Sequence, residues 1–234
     1  MRTRPVSVAP EVAKLDCELI LEKKCARLLD SIQTCLYYSA MGHTPATTSE
    51  ARQRILETAD RLFYQEGVRA VGIDRIIAEA CVAKMTLYNH FPSKDDLIVA
   101  VLKHREQGVL EFFRSAMERH GKKTKSRLRA FFAALKDFFE SPGFRGCPFQ
   151  NAAVELADPT HAGTEFARGH KQRFSEFLRG LVEETVGKAA VKVAPAVFIL
   201  VEGAIVTSVI QGNSDAADVA RDAALKLVGN EKGV

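Results

Sequence analysis

The chain has 234 residues, 47% of them hydrophobic, and a formal net charge of +4. That hydrophobic share is ample for one large or two small packed domains, and no uninterrupted apolar run of about 18 residues marks a membrane span. The charge names no partner: residues 1–45 carry 6 basic and 5 acidic groups, residues 46–106 carry 9 and 9, and residues 107–234 carry 18 and 15.

Strand-like alternation is scarce and helical periodicity runs almost throughout, so the expected fold class is all-α. Residues 1–45 stand apart. Leu15, Leu19, Cys25, Leu29 and Ile32 recur on one side of an amphipathic helix over Leu15–Tyr38. Charges interrupt every apolar stretch there, which excludes a signal peptide and points to the cytoplasm. Two readings of this segment stand side by side. Either Met41, nine residues before Glu50, is the real initiator, or the segment is an extra helix that packs on a dimer or reaches DNA.

Ser49–Glu66 places Ile55, Ala59, Leu62 and Phe63 on one face and stops at Gly67, a natural C-cap. Gly72–Ala80 repeats the pattern with Ile73, Ile76, Ile77 and Ala80. After a break at Cys81-Val82-Ala83, Lys84–His90 carries the apolar pair Leu87 and Phe91, and Pro92 ends it. Ser93 then caps a long helix reaching about Arg119, with Asp95 and Asp96 in its first turn. Two short helices in this order are a device for holding one helix in the major groove of DNA.

Five further helices are expected: Lys125–Glu140, Phe149–Leu156, Thr164 to about Thr185, Lys192–Gln211 and Ser214–Val228. The fourth of these is apolar nearly all round and must be buried, either inside its own subunit or against another. The segment after residue 106 holds 12 of the 14 phenylalanines. Most must fill a helical core, and some can line a pocket for a hydrophobic or aromatic molecule.

Five cysteines without CxxC spacing argue against a disulfide framework or a zinc ribbon and favour reduced thiols. No P-loop, GxGxxG or Ser-His-Asp pattern is present, and no metal, cofactor or catalytic residue is expected. Cys147 with His161 and His170 leaves a weaker reading open, a cysteine-dependent enzyme or, with Cys81, a redox sensor.

The run VAKMTLYNHFPSKDDLI, Val82 to Ile98, resembles the helix-turn-helix signature of TetR/AcrR-type bacterial repressors. ARQRILETADRLFYQEGVRAVGIDRI before it and GFRGCPFQNAAVELADPTH, Gly143 to His161, extend the resemblance. It implies a three-helix DNA-binding domain over 46–106 and a helical ligand-binding and dimerisation domain over 107–234, with 1–45 outside. Nine helices are the count it implies.

Lys84, Thr86, Tyr88, Asn89 and His90 lie on positions that face the groove and its phosphates in that family. Asn89 can read adenine, Lys84 guanine or phosphate, and the Thr86 methyl a thymine methyl. Tyr88 and His90 suit phosphate contacts, and Lys94 and Arg75 are candidates for the same role. Cys81 stands where the family often has Gly, and Ala83 replaces a frequent Ser, departures that bear on stability and remove no groove-facing group.

The resemblance also implies an effector pocket between the long middle helices, with Phe112, Phe138, Cys147, Phe149, Asn151 and Phe174 as candidates. It further implies a four-helix dimer interface, for which Phe198, Val201, Gly203, Ala204, Ile205 and Leu225 are candidates. The expected function is a homodimeric repressor that a small hydrophobic or aromatic effector releases from a palindromic double-stranded operator. The alternative is an architectural DNA-binding dimer without an effector. No membrane partner is expected.

Overall fold

The computed structural model describes residues 48–124 and 126–230. Residues 1–45, with the expected helix over Leu15–Tyr38 and the question of Met41, lie outside them. Every regular element among the described residues is helical. In chain order they are α1 (Thr48–Glu66), α2 (Ile73–Ala80), α3 (Lys84–His90), α4 (Lys94–Gly121), α5 (Arg127–Phe139), α6 (Pro148–Leu156), α7 (Ala162–Val186), α8 (Ala190–Gln211) and α9 (Asp215–Asn230), with a 3-10 turn over Gly187–Ala189.

The first four helices share a small core. Ile55, Ala59, Leu62 and Phe63 of α1 bury against Ile76 and Ala80 of α2 and Leu87 of α3. Leu97 and Ile98 of α4 close the cluster. Gly67 ends α1 at φ 97°, and its N–H donates to the Phe63 carbonyl at 3.0 Å. A Cβ there would meet only the end of the flexible Glu155 side chain, so it is the positive φ that calls for glycine.

The turn between α2 and α3 is built with less favourable residues. Cys81 is the C-cap of α2 at φ 51° and ψ 50°, a left-handed conformation that a Cβ disfavours by roughly 1–2 kcal/mol. Ala83 occupies the N-cap of α3 with no side-chain hydrogen bond to give. Cys81→Gly and Ala83→Ser are each expected to stabilise the protein by about 1 kcal/mol. Thermal unfolding should show each as a rise of roughly 2–4 °C in Tm. An unchanged Tm for Cys81→Gly would mean that the thiol's packing compensates the strain.

By contrast, α4 begins on a complete cap. Ser93 Oγ accepts from the Asp96 N–H at 3.0 Å and donates to the Asp96 carboxylate at 2.7 Å. The helix then runs unbroken through residues 106 and 107, so the expected division between the two domains falls inside a rigid element. Gly121 is its last residue rather than a break before it.

The same core continues between α5, α7, α8 and α9. Phe131, Phe132 and Leu135 of α5 meet Leu178, Leu181 and Val182 of α7. Ala217, Ala220 and Ala224 keep the buried side of α9 thin enough to pack closely on α8 and α5. Lys136 Nζ and the Asp218 carboxylate, 2.5 Å apart, pin α5 to α9 at the surface.

The sequence leads one to expect α8 to be buried, inside its own subunit or against another, and within the subunit it is buried on one side only. Val193, Val197, Val201, Ala204 and Ile205 face inward, but Ile199 is 67% and Ile210 78% exposed, with Val206 and Val209 open beside them. The helical run Ala162–Gln211 is in fact long and apolar enough over one stretch to meet the composition of a membrane span, and only 39% of that stretch is buried. Glu202 conceals this from a simple count of apolar residues; its carboxylate is 2.6 Å from Lys171 Nζ of α7.

Candidate functional site

Two surfaces stand out. The first is α3. Leu87, fully buried, anchors the helix in the small core, and the Phe91 N–H closes it on the Leu87 carbonyl at 2.8 Å. The opposite side presents Lys84, Tyr88 and Asn89 to solvent, with Thr86 and His90 half-buried at its edges. Met85, 68% exposed, lies on the same open side. An apolar contact to a thymine methyl suits it.

Two of the expected phosphate contacts are differently employed. The Arg75 guanidinium is held on both edges, by Glu66 of α1 (2.7 Å from Nη2) and by Glu79 of α2 (2.9 Å from Nε). Glu79 also receives Arg61 at 2.5 Å. Arg75 therefore braces α1 against α2 while its side chain stays 43% exposed. Lys94 lies 5.9 Å over the Phe63 ring, and burial lowers its pKa against the opposing pull of Asp95 and Glu155. With Asp95 and Asp96 in the first turn, the start of α4 is poorly suited to a phosphate. Lys84 is looser, 3.4 Å from Asp74, with both side chains mostly exposed, so it can leave that pair for DNA.

The second surface is a cavity of about 580 Å³ between α4, α5, α6 and α7. Cys147, Phe149, Leu135 and Ala130 form its buried floor, with Ile205 of α8, and Phe113, Phe138 and Phe174 its sides. Leu110, Arg114, Arg173 and Phe177 stand exposed at its mouth. Of the expected ligand contacts, Phe138, Cys147, Phe149 and Phe174 line it. Phe112 packs behind, 5.4 Å from the Phe138 ring and 5.7 Å from that of Phe113. Asn151 instead donates to the Arg145 carbonyl at 2.8 Å, shaping the loop before α6. Phe113 was missed because helical spacing cannot tell which member of a Phe-Phe pair faces a void.

His170 was read with Cys147 as a possible nucleophile or metal pair. The structure brings both to this cavity, but His161 caps α7, accepting from the Gly163 N–H at 2.9 Å. Among the described residues no group of three His, Cys, Asp or Glu is placed to hold a metal ion.

The two surfaces are joined at more than one place, and one junction reaches the cavity wall. Tyr64 of α1 donates to the Gly146 carbonyl at 2.9 Å and accepts from the Arg145 N–H at 2.8 Å. Arg105 of α4 lies 3.8 Å over the Tyr64 ring and pairs with Asp60 of α1 at 2.6 Å. Burial raises the Tyr64 pKa, outweighing the Arg145 hydrogen bond and Arg105, so the phenol stays protonated and can donate. Cys147, next to Gly146, is already cavity wall.

Residues expected at a dimer interface divide. Val201, Ala204 and Ile205 are buried within the subunit and have little surface left to give, while Phe198 and Leu225 are half-buried and Gly203 is exposed. The open apolar stripe lies on nearly the opposite side of α8, on Ile199, Val206, Val209 and Ile210, continued by Val219 and Leu227 of α9. The most continuous apolar runs pack inward, and the exposed stripe is interrupted by Glu202 and Gly203.

Comparison with known proteins follows the same division of the chain. Residues 55–101 match the family described as bacterial regulatory proteins, tetR family. Residues 124–224 match the tetracyclin repressor-like C-terminal domain. A TetR-family transcriptional regulator of Streptomyces coelicolor, solved by crystallography, superposes with a TM-score of 0.69 at 34% identity, covering 78% of this chain and 96% of its own. The transcriptional repressor DhaR of Mycobacterium sp. strain GP1 is 28% identical over 185 residues, 76% of this chain and 89% of DhaR. The transcriptional activator FasR of Mycolicibacterium smegmatis is 38% identical over 98 residues, 41% of this chain and 44% of FasR. With a helix-turn-helix whose second helix is open to solvent and a separate helical cavity behind it, this chain belongs to the TetR family of DNA-binding transcriptional regulators.

Proposed function

We propose that the protein is a homodimeric repressor whose hold on a palindromic operator is released by a small aromatic or hydrophobic effector. The observation that carries this is the Tyr64 junction, which ties the cavity wall at Gly146-Cys147 to the helix that supports α3. A molecule that displaces Cys147 and Pro148 would shift Gly146, and with it α1 and the spacing of the two recognition helices. Release is then a population shift, and operator binding must weaken effector binding by the same factor.

Dimerisation is supported by the apolar stripe on α8 and α9, which a second copy would cover. One α3 reads too few bases for specificity, whereas a two-fold dimer reads two half-sites. DhaR, the relative matched through both domains, is named a repressor, which supports that sign for this chain. An architectural DNA-binding dimer would have no use for a cavity of about 580 Å³ lined by phenylalanines.

Gel-shift titration of the full chain on its own upstream DNA, against a scrambled duplex at physiological salt, tests the reading. Tight, salt-sensitive binding by two chains to the upstream duplex alone is expected, with release when an aromatic effector is added. Equal affinity for both duplexes would reject operator-specific repression, and failure of every small molecule to release the DNA would reject the effector.

A further inference from the structure

The cavity is apolar except at one end, where His170 and Glu106 meet. The His170 ring stacks on Phe149, 3.6 Å between centroids, with Phe174 nearly parallel at 6.4 Å. Its Nδ1 lies 2.9 Å from Glu106 Oε1, which also accepts from Arg173 Nη2 at 2.6 Å. Burial by itself would raise the Glu106 pKa, but the hydrogen bonds from Arg173 and His170 outweigh it and hold the carboxylate ionised. A carboxylate cannot donate, so Nδ1 must carry the proton. Burial also lowers the His170 pKa despite Glu106, so the ring is neutral and Nε2 is a bare lone pair. Nε2 has no hydrogen-bond partner among the described residues and is not sealed from the cavity that His170 lines.

The charged groups around the cavity point the same way. Arg173 is paired with Glu106, Arg114 with Glu111, Arg127 with Glu184 and Lys171 with Glu202. Every basic group that lines the cavity thus already has a carboxylate, and Glu118 adds a further negative charge at the mouth. An acidic ligand in the cavity would have to draw a lining cation away from the carboxylate it already has.

Resting on the effector reading above, we propose that the cavity takes a neutral or cationic aromatic molecule bearing a hydroxyl or N–H group, which donates to His170 Nε2, and discriminates against carboxylic acids. Phe149 and Phe174 hold the imidazole in plane, and Glu106 fixes its tautomer.

The test compares three probes of one shape by calorimetry on the full chain: 4-phenylphenol, 4-methylbiphenyl and biphenyl-4-carboxylate. The phenol is expected to bind roughly five- to tenfold tighter than the methyl compound, and the carboxylate weakest. His170→Phe should abolish the advantage of the hydroxyl while still binding 4-methylbiphenyl, which shows the cavity intact. Glu106→Gln supplies an independent variant. Its amide can donate to Nδ1, moving the ring proton to Nε2, and the preference for the phenol should shrink. Equal binding of all three probes, tightest binding of the carboxylate, no binding of any, or a hydroxyl preference unchanged in both variants would each overturn the proposal. The effector reading fails separately, only if no small molecule releases the operator.

Discussion

Arg105→Ala is expected to destabilise the protein by about 3 kcal/mol, the lower end of the cost of breaking a buried ion pair, because each side chain keeps about a fifth of its surface exposed. The guanidinium is shared three ways. Nη2 donates to the Asp60 carboxylate at 3.0 Å and to the Asp60 carbonyl at 3.3 Å, and the flat face covers Tyr64. Nε and Oδ1 lie 2.6 Å apart but out of hydrogen-bond alignment, so that contact is electrostatic. Burial raises the Asp60 pKa even with Arg105 and His104 pulling it down. Without Arg105 the carboxylate is left with burial and little to oppose it.

The sign with pH follows. A carboxyl whose folded pKa exceeds its unfolded value binds protons better when folded, so stability falls as pH rises through the folded pKa. In Arg105→Ala that pKa rises further. The deficit should therefore be largest at neutral pH and shrink as the solution is acidified towards the carboxyl range. Urea unfolding at pH 5 and pH 7.5 checks this, and an equal deficit at both would mean that lost packing on Tyr64, not the orphaned charge, sets the cost. The double variant Asp60→Asn, Arg105→Met should recover most of the loss.

Asn89→Ala is expected to cost roughly 1–3 kcal/mol of base discrimination at each half-site. In the proposed dimer, which presents two copies, the ratio of operator to random binding should fall by about 30-fold to 2 × 10⁴-fold, with preference relaxed at one position of each half-site. Tyr88→Ala should behave differently, weakening operator and random duplexes alike, since a phosphate contact positions without specifying. Lys84→Ala separates a third role: loss of one phosphate contact per subunit should flatten the dependence of log affinity on log salt by about two. The three variants titrated on operator duplexes with single base changes distinguish these outcomes. Unaltered base preference in Asn89→Ala would remove Asn89 from direct readout.

The helices were legible before any coordinates because their information is local. Ile55, Ala59, Leu62 and Phe63 carry the helical period, Gly67 and Ser93 carry the stops and starts, and all but the terminal residues of each helix expected among the described residues agree with the structure. The strained turn at Cys81 and the uncapped start at Ala83 were equally readable, since one residue's backbone preference decides each. The all-α fold and the family lie at this level, because the helix-turn-helix residues from Ile73 to His90 are continuous in the chain.

Contacts made at long range were not legible. Arg75 looked available for DNA until the packing of α1 on α2 set Glu66 beside it, across from Glu79 four residues on in its own helix. Phe112 and Phe113 are chemically identical, and only the rotation of α4 against α5 and α7 decides that Phe113 meets the cavity. The same holds for α8, whose Val201 and Ile205 turn inward while Ile199 and Ile210 turn out. A side chain's composition and period determine that it joins a helix. Which face of that helix is buried, and which charges find each other, is decided by packing between segments up to 87 residues apart in the chain, as where Arg69 reaches the Leu156 carbonyl.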